Sequence, residues 1–144
     1  MDKKSSYKEL AETVVAKLRD ENYANYLATR NYARSMTLTE YLSLPRNPGY
    51  ASEYQQRDDE RFGLLNSLSA EQSDALDRLI LSTLDNAAFN FLRKIEENKA
   101  EGKGVGLTID GKNLNIQDEL QSGTLFGEYF LWVEENSKYG PFQH

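Results

Sequence analysis

Residues 68–102 read LSAEQSDALDRLILSTLDNAAFNFLRKIEENKAEG, and the reading of that stretch decides the fold. Ser69 stands three residues before Gln72, the spacing of a capping box. In such a box the serine hydroxyl accepts from the backbone N–H of Gln72, and the glutamine side chain reaches back to the N–H of Ser69. Leu76, Leu79, Ile80, Leu84, Ala87, Ala88, Phe91, Leu92 and Ile95 then recur in steps of three and four, the period of one buried helical face. Glu71, Asp74, Asp85, Arg93 and Glu96 fall mostly on the opposite, solvated face. At ~1.5 Å per residue a helix over 70–98 is roughly 40 Å long, the width of a small domain, so the rest of the chain is expected to pack along it. Ile80, Leu84 and Phe91 are the expected central core positions.

Working toward the N-terminus, 51–66 is helical by propensity, with Tyr54, Arg61, Phe62 and Leu65 on one side. Its middle, Gln55-Gln56-Arg57-Asp58-Asp59-Glu60, is strongly polar, as a solvated helix face is. Pro45-Arg46-Asn47-Pro48-Gly49 is an irregular loop, because two prolines and a glycine defeat regular pairing. It closes a short helix over 38–44 that Thr37 and Glu40 open. Ser6 and Glu9 cap a first helix over 7–19, and Asp20-Glu21-Asn22 is a candidate break before a second helical segment to about Arg34, the alternative being one continuous run.

Toward the C-terminus the period changes from helical to two. Val105, Leu107 and Ile109 alternate with small or polar residues, Asp110-Gly111 is the favoured pair for a type I′ turn, and Leu114 and Ile116 alternate beyond it. A two-residue loop pairs Ile109 with Lys112, Leu107 with Leu114 and Val105 with Ile116, which puts every apolar residue on one face. Thr124 then opens a last helix over 125–138, with Leu125, Phe126, Tyr129, Trp132 and Val133 as a broad aromatic face. The expectation is one domain over 1–144, mainly α within the α+β class, built around the long helix with a β-hairpin in its C-terminal third.

Composition narrows the function. The formal charge is −6 and the apolar fraction 39%. An acidic chain is poorly suited to displacing counterions from phosphates or to binding anionic membranes, so neither nucleic acid nor membrane is an expected partner. It does suit a basic protein. No cysteine is present, which removes disulfides, thiolate metal sites and a Cys nucleophile. No apolar run approaches a membrane span. Residues 1–6 lead into an amphipathic pattern without the apolar core of a signal peptide, so a cytoplasmic location is expected.

The one histidine, His144, is the last residue, a poor place for a triad or a metal ligand. Asp74, Asp77, Asp85 and Glu128 are the carboxylates an acid–base pair would draw on, yet their spacing is that of helix surface. Gly102, Gly104 and Gly106 close a helix and open a strand, the reverse of a phosphate loop. These readings assign no catalytic residue, metal or cofactor. Tyrosine is abundant, nine in all, and it combines a large apolar ring with a polar tip. Tyr50 and Tyr54 beside Asp58, Asp59 and Glu60 are the candidate binding residues, the rings as anchors and the carboxylates as rim.

Residues 84–98 (LDNAAFNFLRKIEEN) and 125–139 (LFGEYFLWVEENSKY) resemble the C-terminal part of small uncharacterised bacterial proteins, some of them immunity proteins against secreted toxins. The resemblance covers about the last sixty residues and carries no catalytic motif. It implies a bacterial origin and no site residues. The expected function is a non-catalytic, acidic protein-binding domain, with an immunity-type inhibitor as the form the resemblance implies. A small Asp/Glu-dependent hydrolase and a structural homo-oligomer are the alternatives.

Overall fold

The computed structural model describes residues 4–97 and 102–143. The chain is mainly helical: α1 (Ser6–Val14), a π-helical turn (Val15–Asp20), α2 (Glu21–Arg34), α3 (Leu38–Leu42), α4 (Ser52–Ser67), α5 (Ala70–Glu96), a hairpin of β1 (Thr108–Ile109) and β2 (Lys112–Asn113), a short 3-10 turn (Gln117–Glu119) and α6 (Leu125–Asn136). The expected helix end at Asn98, like His144, lies outside the described residues. Two compact units emerge, one of residues 1–23 and 80–144, the other of residues 24–79.

The start of α5 follows from its capping box. Gln72 N donates to Ser69 Oγ at 3.1 Å and Ser69 N donates to Gln72 Oε1 at 2.9 Å. The buried face of this helix is only partly the expected one: Ala88, Leu92 and Ile95 are buried as read, but Leu79 and Ala87 are exposed. Leu81, Asp85, Ala88, Leu92 and Ile95 are buried, whereas Phe91 is 46% exposed and Ile80 and Leu84 are half-buried. The core ladder runs one residue later than the all-apolar ladder through Ile80, Leu84, Ala87 and Phe91. The reason is electrostatic. Asp85 finds a full set of donors indoors, so a charged residue occupies the centre of the face and the apolar ring of Phe91 is turned out.

In the first unit Leu10, Ala11, Val14 and Val15 meet Ala88, Leu92 and Ile95 of α5 and Leu125, Tyr129, Trp132 and Val133 of α6. The N-cap of α1 is Ser5, accepting from Lys8 N, one residue before the serine read from the sequence. Asp20-Glu21-Asn22 does not break the chain's first helical run. The π turn carries it through, and the widened turn directs both Arg19 and Asp20 inward. Asp20 accepts from Ser137 Oγ at 2.7 Å and from Lys138 N at 3.0 Å, which holds the segment after α6.

The hairpin has the expected turn and inner register. Asp110 and Gly111 have φ of 53° and 75°, both left-handed as a type I′ turn requires, and Ile109 pairs with Lys112. Leu114 N donates to Leu107 O at 2.8 Å. The outermost expected pair, Val105 with Ile116, does not form a ladder rung. Val105 is 51% exposed while Ile116 is buried. The ladder is confined to Thr108–Ile109 and Lys112–Asn113, and Gly104, with φ 89°, bars an extended segment from starting before Val105.

In the second unit Ala33, Tyr41, Phe62 and Leu65 form a small core, with Met36, Leu68 and Leu76 packed against it. Asn66 Nδ2 donates to Ala33 O and Met36 O, both at 2.9 Å, and so satisfies carbonyls at the end of α2. Thr37 accepts from Glu40 N and opens α3 as expected.

Candidate binding surface

Two sets of side chains bear on the candidate residues read from the sequence. One is enclosed and lies in the first unit; the other is on the surface of the second.

The enclosed set centres on Arg19 and Asp85, whose side chains are both fully buried. Arg19 Nε donates to Asp85 Oδ1 at 2.7 Å and Nη2 to Oδ2 at 3.3 Å. Tyr129 Oη donates to Asp85 Oδ1 at 2.6 Å, and the backbone N–H of Gln143 to Oδ2 at 2.8 Å. The remaining guanidinium protons go to Ser137 Oγ, Gly140 O and Pro141 O. Burial, with the bond to Asp85, holds the Tyr129 phenol well above its usual range. Glu128 is equally buried. It accepts from Tyr7 Oη at 2.6 Å, from Ser122 Oγ at 2.7 Å and from the backbone N–H groups of Gln121 and Ser122. Burial pushes the Glu128 carboxyl up, but these four donors outweigh it and hold it below the usual carboxylate range. Burial and the same bond push Tyr7 up to about 12. Asp85 and Glu128, read from sequence as surface carboxylates, thus tie helices together. With their oxygens saturated and out of solvent they present no atom to a substrate.

The surface set contains all five candidate binding residues. The loop after α3 is turned by Asn47, whose side chain accepts from Gly49 N at 2.9 Å and whose carbonyl accepts from Tyr50 N at 3.0 Å. The turn lays Tyr50 beside Tyr54 on the first turn of α4, ring centroids 6.0 Å apart. Both rings are exposed, 40% and 54%. Tyr50 Oη donates to Asp58 Oδ2 at 2.8 Å, and Arg61 Nη2 to Asp58 Oδ1 at 2.8 Å. The Asp58 bond raises the Tyr50 phenol.

Asp59 is a junction rather than a rim charge. It accepts from Arg46 Nη1 at 2.7 Å, Gln55 Nε2 at 3.0 Å and Tyr41 Oη at 3.0 Å, and the Arg46 bond above all lowers its carboxyl. Glu60 is exposed, with Gln56 Nε2 at 3.2 Å. Tyr50, Tyr54 and Asp58 therefore come together, while Glu60 falls on another side of α4 from Asp58; only Tyr50, Tyr54 and Glu60 are exposed as the sequence suggested. Asp58 and Asp59 are already occupied by the chain's own donors.

The same unit exposes other large apolar side chains, among them Leu79, which the helical period placed on the buried face. Tyr32, Leu38, Leu42, Leu44, Leu64 and Leu79 are all more than a third exposed, whereas the first unit adds Phe91 and Val105. Leu42 and Leu44 carried a signal: a helix as short as α3, stopped by Pro45, has too few turns to bury both.

No protein-family model, curated protein or solved structure matches this chain. The site stands on its geometry alone. Among the described residues no helix is long and apolar enough to cross a membrane, and no group of three or more His, Asp or Glu side chains is placed to hold a metal ion.

Proposed function

We propose that this chain is a non-catalytic, acidic protein-binding domain that engages a basic partner through the α3–α4 surface, in the manner of a bacterial immunity-type inhibitor. The observation that carries the reading is the concentration of exposed apolar side chains in residues 24–79, among them Tyr50 and Tyr54 at the foot of α4. Contiguous exposed apolar groups rimmed by charge are what protein interfaces use, with tyrosine prominent among their anchors. The net charge of −6 supports a cationic partner. The immunity-type part rests on the resemblance of residues 84–98 and 125–139.

The test uses the full chain and its Tyr50→Ala/Tyr54→Ala variant as parallel baits in lysate of the producing cell. A protein retained by the parent and lost with the variant is the expected result. Equal retention of every protein by both baits overturns the assignment of this surface. If the retained protein arrests growth when expressed alone and the chain relieves the arrest, the immunity-type reading stands; without growth arrest that part of the reading is rejected.

A further inference from the structure

Next to the tyrosine pair lies a hollow of about 230 Å³ lined by Thr29, Tyr32, Ala33, Tyr41, Asp58, Arg61 and Phe62. We propose that this hollow seats an arginine side chain of the basic partner, an inference that rests on the protein-binding reading and names the group recognised.

The walls have the chemistry a guanidinium needs. Tyr32 is 48% exposed and stands edge-on to Tyr41 and Phe62, with centroids 6.3 and 5.7 Å away. An aromatic face attracts a cation through its quadrupole, and a carboxylate beside it supplies the charged hydrogen bond. Asp58 is that carboxylate. Each of its oxygens accepts one hydrogen bond, from Arg61 and from Tyr50, and a carboxylate oxygen has room for a second.

The chain already holds one of its own arginines in this way. Arg46 lies 5.7 Å over the Tyr41 ring and donates to Asp59 at 2.7 Å. Tyr32 of α2 and Asp58, the residue before Asp59 on α4, both line the hollow and offer the same two groups, a ring and a carboxylate. Arg61 is the present occupant of Asp58, but its side chain is 60% exposed and it sits on a long flexible stem. An incoming guanidinium that also stacks on Tyr32 displaces it. Arg61 is thus a placeholder that competes with the ligand. That sets this proposal apart from a surface in which Arg61 is itself an anchor.

The experiment titrates the isotope-labelled full chain with N-acetyl-arginine amide, with the uncharged isostere N-acetyl-citrulline amide as control, and follows backbone amide shifts. Saturable shifts confined to the neighbourhood of Tyr32, Asp58 and Phe62 are expected with arginine and not with citrulline. Tyr32→Leu and Asp58→Asn should each weaken binding about tenfold, and Arg61→Ala should tighten it several-fold. The dispersion of the amide spectrum shows in each case that the variant is folded. Equal shifts with citrulline, shifts elsewhere, or weaker binding by Arg61→Ala overturn the proposal. The two readings fail separately. A captured partner whose affinity falls with Tyr54→Ala but ignores Tyr32→Leu removes the arginine seat and leaves the binding surface. A chain that retains no partner through Tyr50 and Tyr54 removes the surface itself.

Discussion

Replacing Asp85 by alanine removes the acceptor from four donors at once: Arg19 Nε and Nη2, Tyr129 Oη and the Gln143 N–H. The Arg19 guanidinium then stays fully buried with no carboxylate in direct contact, Asp20 being reached only through Ser137 Oγ. Breaking a buried ion pair from one side costs roughly 3–5 kcal/mol, because the charge left behind has lost both water and partner. The orphaned Tyr129 hydroxyl, at about 1–3 kcal/mol for a buried unsatisfied donor, places the loss toward the upper end. Trp132, the single tryptophan, is fully buried in the same unit, so its fluorescence during urea unfolding reports on this loss locally. The companion variant Arg19→Met/Asp85→Leu removes both charges. Apolar replacement of a buried pair is often neutral or better, so the double variant should be more stable than Asp85→Ala alone. A loss below about 1 kcal/mol for Asp85→Ala, or single losses that simply add in the double variant, would refute the claim that this pair is enclosed and coupled.

Three further outcomes are expected. Leu92→Ala should cost about 2–5 kcal/mol, while Phe91→Ala, on the exposed side of the same helix, should cost under about 1 kcal/mol; reversed values in chemical denaturation would restore the ladder through Phe91. Gly111→Val should destabilise the hairpin by about 1–2 kcal/mol, since an added Cβ meets nothing within 4 Å yet φ is 75°; an unchanged hairpin in amide hydrogen exchange would contradict the turn. Glu128 has its folded carboxyl held below the ordinary range, so its contribution is present above that range and is lost as pH falls through the folded value. Glu128→Gln should accordingly be less stable than the parent at neutral pH but show a shallower fall in urea midpoint toward acid; parallel curves for the two proteins would show that Glu128 is not the titrating group.

What the sequence determined by itself is what depends on neighbours along the chain. The capping box at Ser69 and Gln72, the cap at Thr37, the stop after α3 at Pro45 and the I′ turn at Asp110-Gly111 are all local. Their partners lie two to four residues away, and they form as read. Near misses at Ser5 and at the polar run 20–22 have the same origin: several residues there can serve a helix start or a break, and contacts from far along the chain choose. The buried face of α5 was a different problem. Two ladders one residue apart fit residues 76–95 equally well by period, one all apolar and one carrying Asp85. Composition favours the apolar ladder. Only the arrival of Arg19 from a π turn 66 positions earlier and of Tyr129 44 positions later makes the charged ladder the buried one. Glu128 was hidden for the same reason, since Tyr7 reaches it across 121 positions. At the candidate surface, the exposure of Tyr50 and Tyr54 followed from a proline-bounded loop beside a polar helix. That Asp59 serves as an internal junction, and that Tyr32 with Asp58 walls a hollow, was decided by the packing of α2 and α3 on α4. A carboxylate's role depends on which donors reach it, and those donors are placed by the tertiary fold.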